Sequence, residues 1–206
     1  MDTRLFGDLG KSYHDTEWGI PVHDDFKQFE FLSLENLQCG LSWGLMLKKR
    51  SIISSCFAEF DYNKVAAFTP DDVTRILTTD GMIRSKPKIE GIITNARCFL
   101  AIREEFGSFS DYIWSYSQGK TIVYKGHAEG LIPTKNALST KISKDLKKRG
   151  FKYVGPVVIY SHLQACGIIN DHSIDCPLYQ QLIHSYPTVF LDPDGEGDVT
   201  PYEVPA

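Results

Sequence analysis

The chain has no apolar run approaching the ~18 residues a membrane-crossing helix needs, so a helical membrane span is excluded. Its first residues, Met1-Asp2-Thr3-Arg4, lead into no apolar signal core, which makes a cytoplasmic destination the expectation over secretion. Cysteine is sparse and odd in number. The five residues Cys39, Cys56, Cys98, Cys166 and Cys176 are scattered, which suits a reducing compartment and not a disulfide scaffold. Positive charge is not in excess either. A net charge of −4 gives no global attraction for nucleic acid, so any such contact has to come from a local basic face. There is no internal repeat and no low-complexity tract. What is present is a 206-residue chain that is 42% hydrophobic and 23% charged, enough for a sizeable core and too balanced for long disorder. That length suits one domain, or two small lobes sharing a core.

Helical spacing dominates. Asp24 or Asp25 can cap a helix carrying Phe26, Phe29, Leu32 and Leu37, ended by Gly40. Ser42 can cap the next, through Leu45 and Met46 to Lys48-Lys49-Arg50. Thr69-Pro70-Asp71-Asp72 combines a capping hydroxyl, a proline at the first helical position and acids in the first turn. A longer helix is expected from Lys86-Pro87-Lys88, with Gly107 breaking it. Residues 118–133 hold three glycines, a proline and the β-branched Thr121-Ile122-Val123, and read as a loop with a small hairpin. Ser139 or Thr140 caps a further helix, and Pro156 opens an apolar one toward Cys166. The predicted domain covers residues 1–186, and the Pro-, Asp- and Gly-rich residues 187–206 read as a poorly ordered tail.

Two blocks carry chemistry. Tyr13-His14-Asp15-Thr16-Glu17-Trp18-Gly19 and Gly40-Leu41-Ser42-Trp43 gather aromatics, carboxylates and a histidine, the materials of a pocket for a flat ring. The second block, over residues 140–166, reads as a basic helix, a turn bounded by Gly150 and Gly155, and a second helix. The free backbone N–H groups in the first turn of that second helix, which opens at Pro156, can meet a phosphate, with Lys147, Arg149 and Lys152 adding charge. Lys48-Lys49-Arg50 and Arg84, Lys86 and Lys88 form two further basic clusters. Each feature has a plain alternative: solvated helix ends, a helical hairpin held by its own packing, a core tryptophan, an exposed glutamate.

Together these residues resemble the DNA-3-methyladenine glycosylase I family of the helix-hairpin-helix superfamily. The matching text runs in order over roughly residues 11 to 176. It includes Tyr13 to Gly19, Leu34-Glu35, Gly40 to Trp43, Leu47 to Arg50, Asn95-Ala96-Arg97, Leu146 to Lys152, Val154-Gly155, Gln164 to Gly167 and Asn170-Asp171-His172. The resemblance implies an all-α helix-hairpin-helix fold, a cleft between helical lobes, and hydrolysis of the bond joining 3-methyladenine to duplex DNA. It implies that a monomer flips the base out, and no lysine in the sequence is placed to argue for a Schiff base. It assigns Glu35 to the adenine edge as the catalytic carboxylate, and Trp43, Tyr13 and Phe6 to contacts with the base. A carboxylate and an aromatic face both prefer the cationic methylated purine to its neutral parent.

The resemblance also implies a structural zinc, whose ligands match His14, His172 and Cys176. The family's remaining cysteine is absent, because Arg4-Leu5-Phe6-Gly7 replaces its Cys-Gly-Trp segment. The spacing of His172 and Cys176 can place both on one helix face; core hydrogen bonding for the histidines and burial for Cys176 are the alternatives. Two more departures are Asn36 in place of a glycine and Cys39 in place of an alanine. Where superfamily members place a catalytic aspartate, this chain has Asn170, with Asp171 beside it. These departures keep two alternatives in play: a non-catalytic DNA- or damage-binding module, and a glycosylase directed at another lesion.

Overall fold

A computed structural model describes residues 7–192. The elements in order are α1 (Gly7–Thr16), α2 (Asp25–Gln38), α3 (Trp43–Cys56), a 3-10 turn (Ala58–Phe60), α4 (Tyr62–Ala66), α5 (Pro70–Thr78), α6 (Lys86–Phe106), α7 (Phe109–Ser115), β1 (Thr121–Tyr124), α8 (Ala137–Lys148), α9 (Pro156–Ala165), α10 (Pro177–Ser185) and β2 (Thr188–Leu191). Among the described residues the fold is all-α apart from this one strand pair; the main apolar cluster extends from Tyr13 in α1 to Val189 in β2, and a small second one gathers Val123, Ala128 and Tyr179.

Local chemistry explains most helix starts. Asp24 accepts from the Lys27 N–H at 2.8 Å to begin α2, and Ser42 accepts from Leu45 to begin α3. The Thr69 N–H and hydroxyl both donate to the Asp72 carboxylate, at 2.9 and 3.1 Å, ahead of α5, with Pro70 at its first position. Helix α8 departs from the expected start. Asn136, and not Ser139 or Thr140, is the cap: its side-chain oxygen accepts from the Ser139 N–H at 2.8 Å, while the Ser139 hydroxyl receives the Asn136 N–H at 3.0 Å. Ser139 is therefore the returning arm of a capping box.

The strands also differ from expectation. β1 does not fold back within residues 118–133. It pairs in parallel with β2, in the register Thr121↔Thr188 to Tyr124↔Leu191. Thr188–Leu191 is thus part of the fold, where a poorly ordered tail is predicted from residue 187; residues 193–206 lie outside the described residues. A parallel partner requires a long crossover, here α8, α9 and α10, and short-range sequence pattern carries no sign of it.

The helix-hairpin-helix unit is α8, residues 149–155 and α9. Only one of its bounding glycines needs a special backbone. Gly150 has φ +96°, which side-chain-bearing residues rarely adopt. Gly155 is an ordinary extended cap at φ −63°, with nothing within 4 Å of where a Cβ would sit, so its backbone faces open space. The hairpin is held from below by α6. The Asn95 side chain receives the Lys152 N–H at 2.7 Å and donates to the Lys152 carbonyl at 3.0 Å. Gly91 lets the Tyr153 ring approach, since a Cβ there would lie 2.8 Å from it.

Candidate base-binding pocket and hairpin

A cavity of about 340 Å³ opens between α1, α2, α3 and α9. Tyr13 comes from α1, Trp43 opens α3, and Glu35 and Gln38 share a face of α2 at a three-residue spacing. Ser161 and Gln164 do the same on α9, Trp18 follows α1, and Ile132 enters from the loop after β1. The residues expected in a common hollow, Glu35, Trp43 and Tyr13, do line one. Phe6 lies outside the described residues. Sequence assigns no base-binding role to Trp18, Gln38, Ser161, Gln164 or Ile132; Glu35–Gln38 and Ser161–Gln164 carry the detectable signal, a polar pair on one helix face.

The aromatic wall is tight. The Tyr13 and Trp43 ring centroids are 5.3 Å apart at an interplanar angle of 50°. The Tyr13 hydroxyl and the Trp43 indole N–H are both buried and have no hydrogen-bond partner. Buried polar groups normally find partners, so two orphans in one cavity wall mark a place shaped for something else to bind. Glu35 is 5% exposed, and burial alone pushes its carboxyl up to about 8. Burial also raises the Tyr13 hydroxyl well above its ordinary value, and the nearby Glu35 and Glu17 add to the shift.

Glu17, in the same motif, has a different task. Burial would raise its pKa, but hydrogen bonds from Arg50 and Lys27 prevail and hold it at about 2. The two terminal Arg50 nitrogens bind the two Glu17 oxygens at 2.7 Å each, and Arg50 Nε binds Glu30 at 2.7 Å. This clamp ties the Tyr13–Trp18 segment to α2 and α3. Arg50 is therefore spent internally. So is Lys88, whose ammonium donates to the Leu37 carbonyl at 2.8 Å and to that of Cys39, closing the end of α2. In the sequence both belong to basic clusters that read as exposed. The two motif departures do not enter the cavity wall. Asn36 is 1% exposed with both side-chain amide atoms unpartnered, and Cys39 sits at the exposed end of α2.

At the hairpin, Lys147 and Lys152 are exposed beside the start of α9. Arg149 is committed elsewhere: its Nε binds Asp145 at 3.0 Å, and its terminal nitrogens bind Glu105 at 2.6 and 3.2 Å. Gly150 and Gly155 bound the turn as expected. Helix α9 joins hairpin and pocket, since its N-terminus is the hairpin's second arm and its middle carries Ser161 and Gln164.

His14, His172 and Cys176 converge, with one ligand atom from each within 4.8 Å of the others. His172 and Cys176 are not on one helix face. His172 lies in the loop before α10 and Cys176 is the residue capping that helix. His14 Nδ1 engages Asp15 at 2.8 Å and His172 Nδ1 engages Asn170 Oδ1 at 2.9 Å, so each ring's Nε2 is left over. His14 Nε2 is 3.8 Å from Cys176 Sγ, and His172 Nε2 is buried without a partner. Such outer bonds fix the tautomer a metal requires, and the donor set fits zinc. Asn170, in the place of a catalytic aspartate, supports His172 and is outside the pocket wall. Asp171 is turned into a separate buried network.

A model of the methyladenine glycosylase family matches residues 7–180. The chain belongs to this family. It is 45% identical over 168 residues to DNA-3-methyladenine glycosylase 1 of Escherichia coli (strain K12), covering 82% of this chain and 90% of that protein. It is 42% identical over 165 residues to DNA-3-methyladenine glycosylase of Haemophilus influenzae, covering 80% and 89%. Among solved structures, a tyrosine-to-phenylalanine variant of 3-methyladenine DNA glycosylase I in complex with 3-methyladenine superposes with a TM-score of 0.80 at 36% identity, covering 86% of this chain and 97% of that one. In this methyladenine glycosylase family member, the aromatic cavity around Glu35 is therefore the place to seek the chemistry.

Proposed function

We propose that this protein is a monofunctional DNA glycosylase that hydrolyses the bond between 3-methyladenine and deoxyribose. The observation that carries the reading is the buried Glu35 carboxyl in a cavity walled by Tyr13 and Trp43, whose polar atoms await a ligand. Duplex DNA is the proposed partner. Lys147, Lys152 and the backbone of α9 take a phosphate, with Gly150 shaping the turn and Gly155 leaving the helix start open; Arg149 stiffens the base of the hairpin. A base in a stacked duplex cannot be reached at its sugar, so it is flipped into the pocket. We assign the protein to the cytoplasm, a reading supported by its free cysteines, and as a monomer by its family resemblance alone.

The charge on the lesion sets the mechanism. Methylation at N3 makes the base cationic, and its stacking on Trp43 is favoured for that reason. Glu35 is held neutral in the empty pocket by lack of solvation, and an incoming cation restores the counter-charge that its ionised form lacks. The resulting pair is desolvated and specific for the charged purine. As the C1′–N9 bond breaks, its electron pair passes to N9 and the base leaves neutral, so no general acid is required. Water then adds to the oxocarbenium carbon and releases a proton to solvent. Glu35 is the catalytic carboxylate: its negative charge lies beside the cationic sugar as well as the base. With Asn170 in place of an aspartate, catalysis is restricted to lesions that already leave readily.

A zinc ion held by His14, His172 and Cys176 is part of the proposal. When bound, it would cross-link α1 to the segment before α10, and it takes no part in base release. The two outer hydrogen bonds and the unpartnered His172 Nε2 support it.

The test is base release from dimethyl-sulfate-treated duplex DNA, followed by mass spectrometry. The native protein is expected to free 3-methyladenine and leave the strand uncut, and Glu35→Ala to lose most of this activity. DNA binding with no base released would support a binding module instead, and release of some other base would support a redirected glycosylase.

A further inference from the structure

Beside the cavity lies a buried network that the mechanism above does not use. The Asp171 side chain is fully buried and accepts three hydrogen bonds: from His127 Nδ1 on Oδ1 at 2.7 Å, and from the Tyr160 hydroxyl and Gln164 Nε2 on Oδ2, both at 2.7 Å. Tyr160 and Gln164 are one turn apart on α9, so both reach the same oxygen. Gln164 also lines the cavity. An amide has one donor end and one acceptor end. With its nitrogen fixed on Asp171, the end left for the cavity is the carbonyl oxygen, which makes no hydrogen bond among the described residues.

We propose that Gln164 is a specificity-determining residue, its carbonyl oxygen accepting a hydrogen bond from the exocyclic amino group of the flipped purine, with Asp171 as the positioning residue that keeps the amide from turning over. The inference rests on the glycosylase reading and names which methylated purine the pocket prefers. 3-Methyladenine presents an amino donor at C6, whereas 3-methylguanine presents a carbonyl acceptor there. An acceptor facing the fixed Gln164 oxygen is repelled, and both groups lose their water. Both methylated purines are cationic, so the charge of Glu35 attracts either one. The Gln164 amide is pinned and can only accept.

The experiment is internal competition on one preparation of methylated duplex DNA containing both lesions. The full-length protein is added and the ratio of initial release rates, 3-methyladenine over 3-methylguanine, is read by mass spectrometry. Both bases meet the same enzyme, so the ratio does not change with the fraction of protein that is folded. Gln164→Met keeps the bulk and removes the acceptor; the ratio is expected to fall by about tenfold or more. Asp171→Asn gives Gln164 a donor to turn toward, exposing its nitrogen to the pocket, and is expected to lower the ratio as well. If Asp171→Asn does not fold, Gln164→Met decides alone. An active wild type with an unchanged ratio in Gln164→Met overturns this inference and leaves the glycosylase reading intact. A wild type that frees neither base overturns both.

Discussion

Removing the charge from Glu35 should make the empty protein more stable, and only above mildly acidic pH. Burial raises its carboxyl from an ordinary 4.5 to about 8. Below the lower value the group is protonated in both folded and unfolded chains, and its burial costs nothing extra. As pH rises above it, the unfolded chain sheds the proton first and the folded one retains it, so stability falls until the folded carboxyl also ionises near pH 8. One pKa unit corresponds to ~1.4 kcal/mol, so the loss approaches about 5 kcal/mol at alkaline pH, less whatever hydration the cavity supplies. Glu35→Gln keeps the shape and removes the titration. The assay is guanidinium unfolding of both proteins at several pH values from 4.5 to 8.5, taking the difference between them at each pH. Shifts of other groups cancel in that difference to first order. The two curves should coincide at the acid end, and the variant should gain roughly 1.4 kcal/mol per pH unit between about pH 5 and 8. A difference that stays flat with pH would refute the argument that desolvation of this one carboxyl shapes the pocket.

The same group should govern catalysis: kcat/KM is expected to rise with pH toward about 8 as the free enzyme's Glu35 ionises, and kcat to level off at lower pH because the bound cation favours the carboxylate. At the hairpin, Lys152→Ala should weaken binding evenly across DNA sequences and lower the slope of log affinity against log salt by about 1, while Arg149→Ala should change that slope little and show itself in thermal melts. Asn95→Ala removes both bonds to the Lys152 backbone and should cost about 2–3 kcal/mol in denaturant titrations, with DNA affinity falling alongside. Metal analysis of protein purified without a histidine tag should find zinc near one equivalent per chain, and Cys176→Ala should remove it and lower the melting temperature.

Sequence revealed what is local or what a family spells out. Asp24, Ser42 and Thr69 announce helices because helix starts are settled within four residues; Asp24 and Ser42 cap as expected, while the Thr69 hydroxyl donates to Asp72 instead of capping. Asn136 was passed over because Ser139, its partner in the box, has the same chemistry. The β1–β2 pair escaped notice because parallel strands meet across three intervening helices. Glu35, Tyr13 and Trp43 were found through family motifs, and their shared cavity follows from packing. Arg50 and Lys88 illustrate the reverse error: in sequence they look like members of exposed basic clusters, and only three dimensions show the carboxylates and carbonyls that occupy them. Gln164 shows in sequence only as half of a polar pair on one helix face, because the role proposed for it depends on Asp171 approaching from another segment.

In the proposed function, helix α9 carries the anchoring end and the reading end of the site on one rigid rod. Ser161 and Gln164 follow Pro156 by five and eight residues, which at 1.5 Å per residue sets them about 8 and 12 Å along the axis. Its length therefore acts as a ruler between the gripped phosphate and the inspected base. Inserting one residue near its start would advance the reading face by only about 1.5 Å but swing it by about 100°, away from the cavity. Evolution can exchange the side chains on this rod one at a time, yet it cannot stretch the rod one residue at a time without separating the act of holding DNA from the act of judging it.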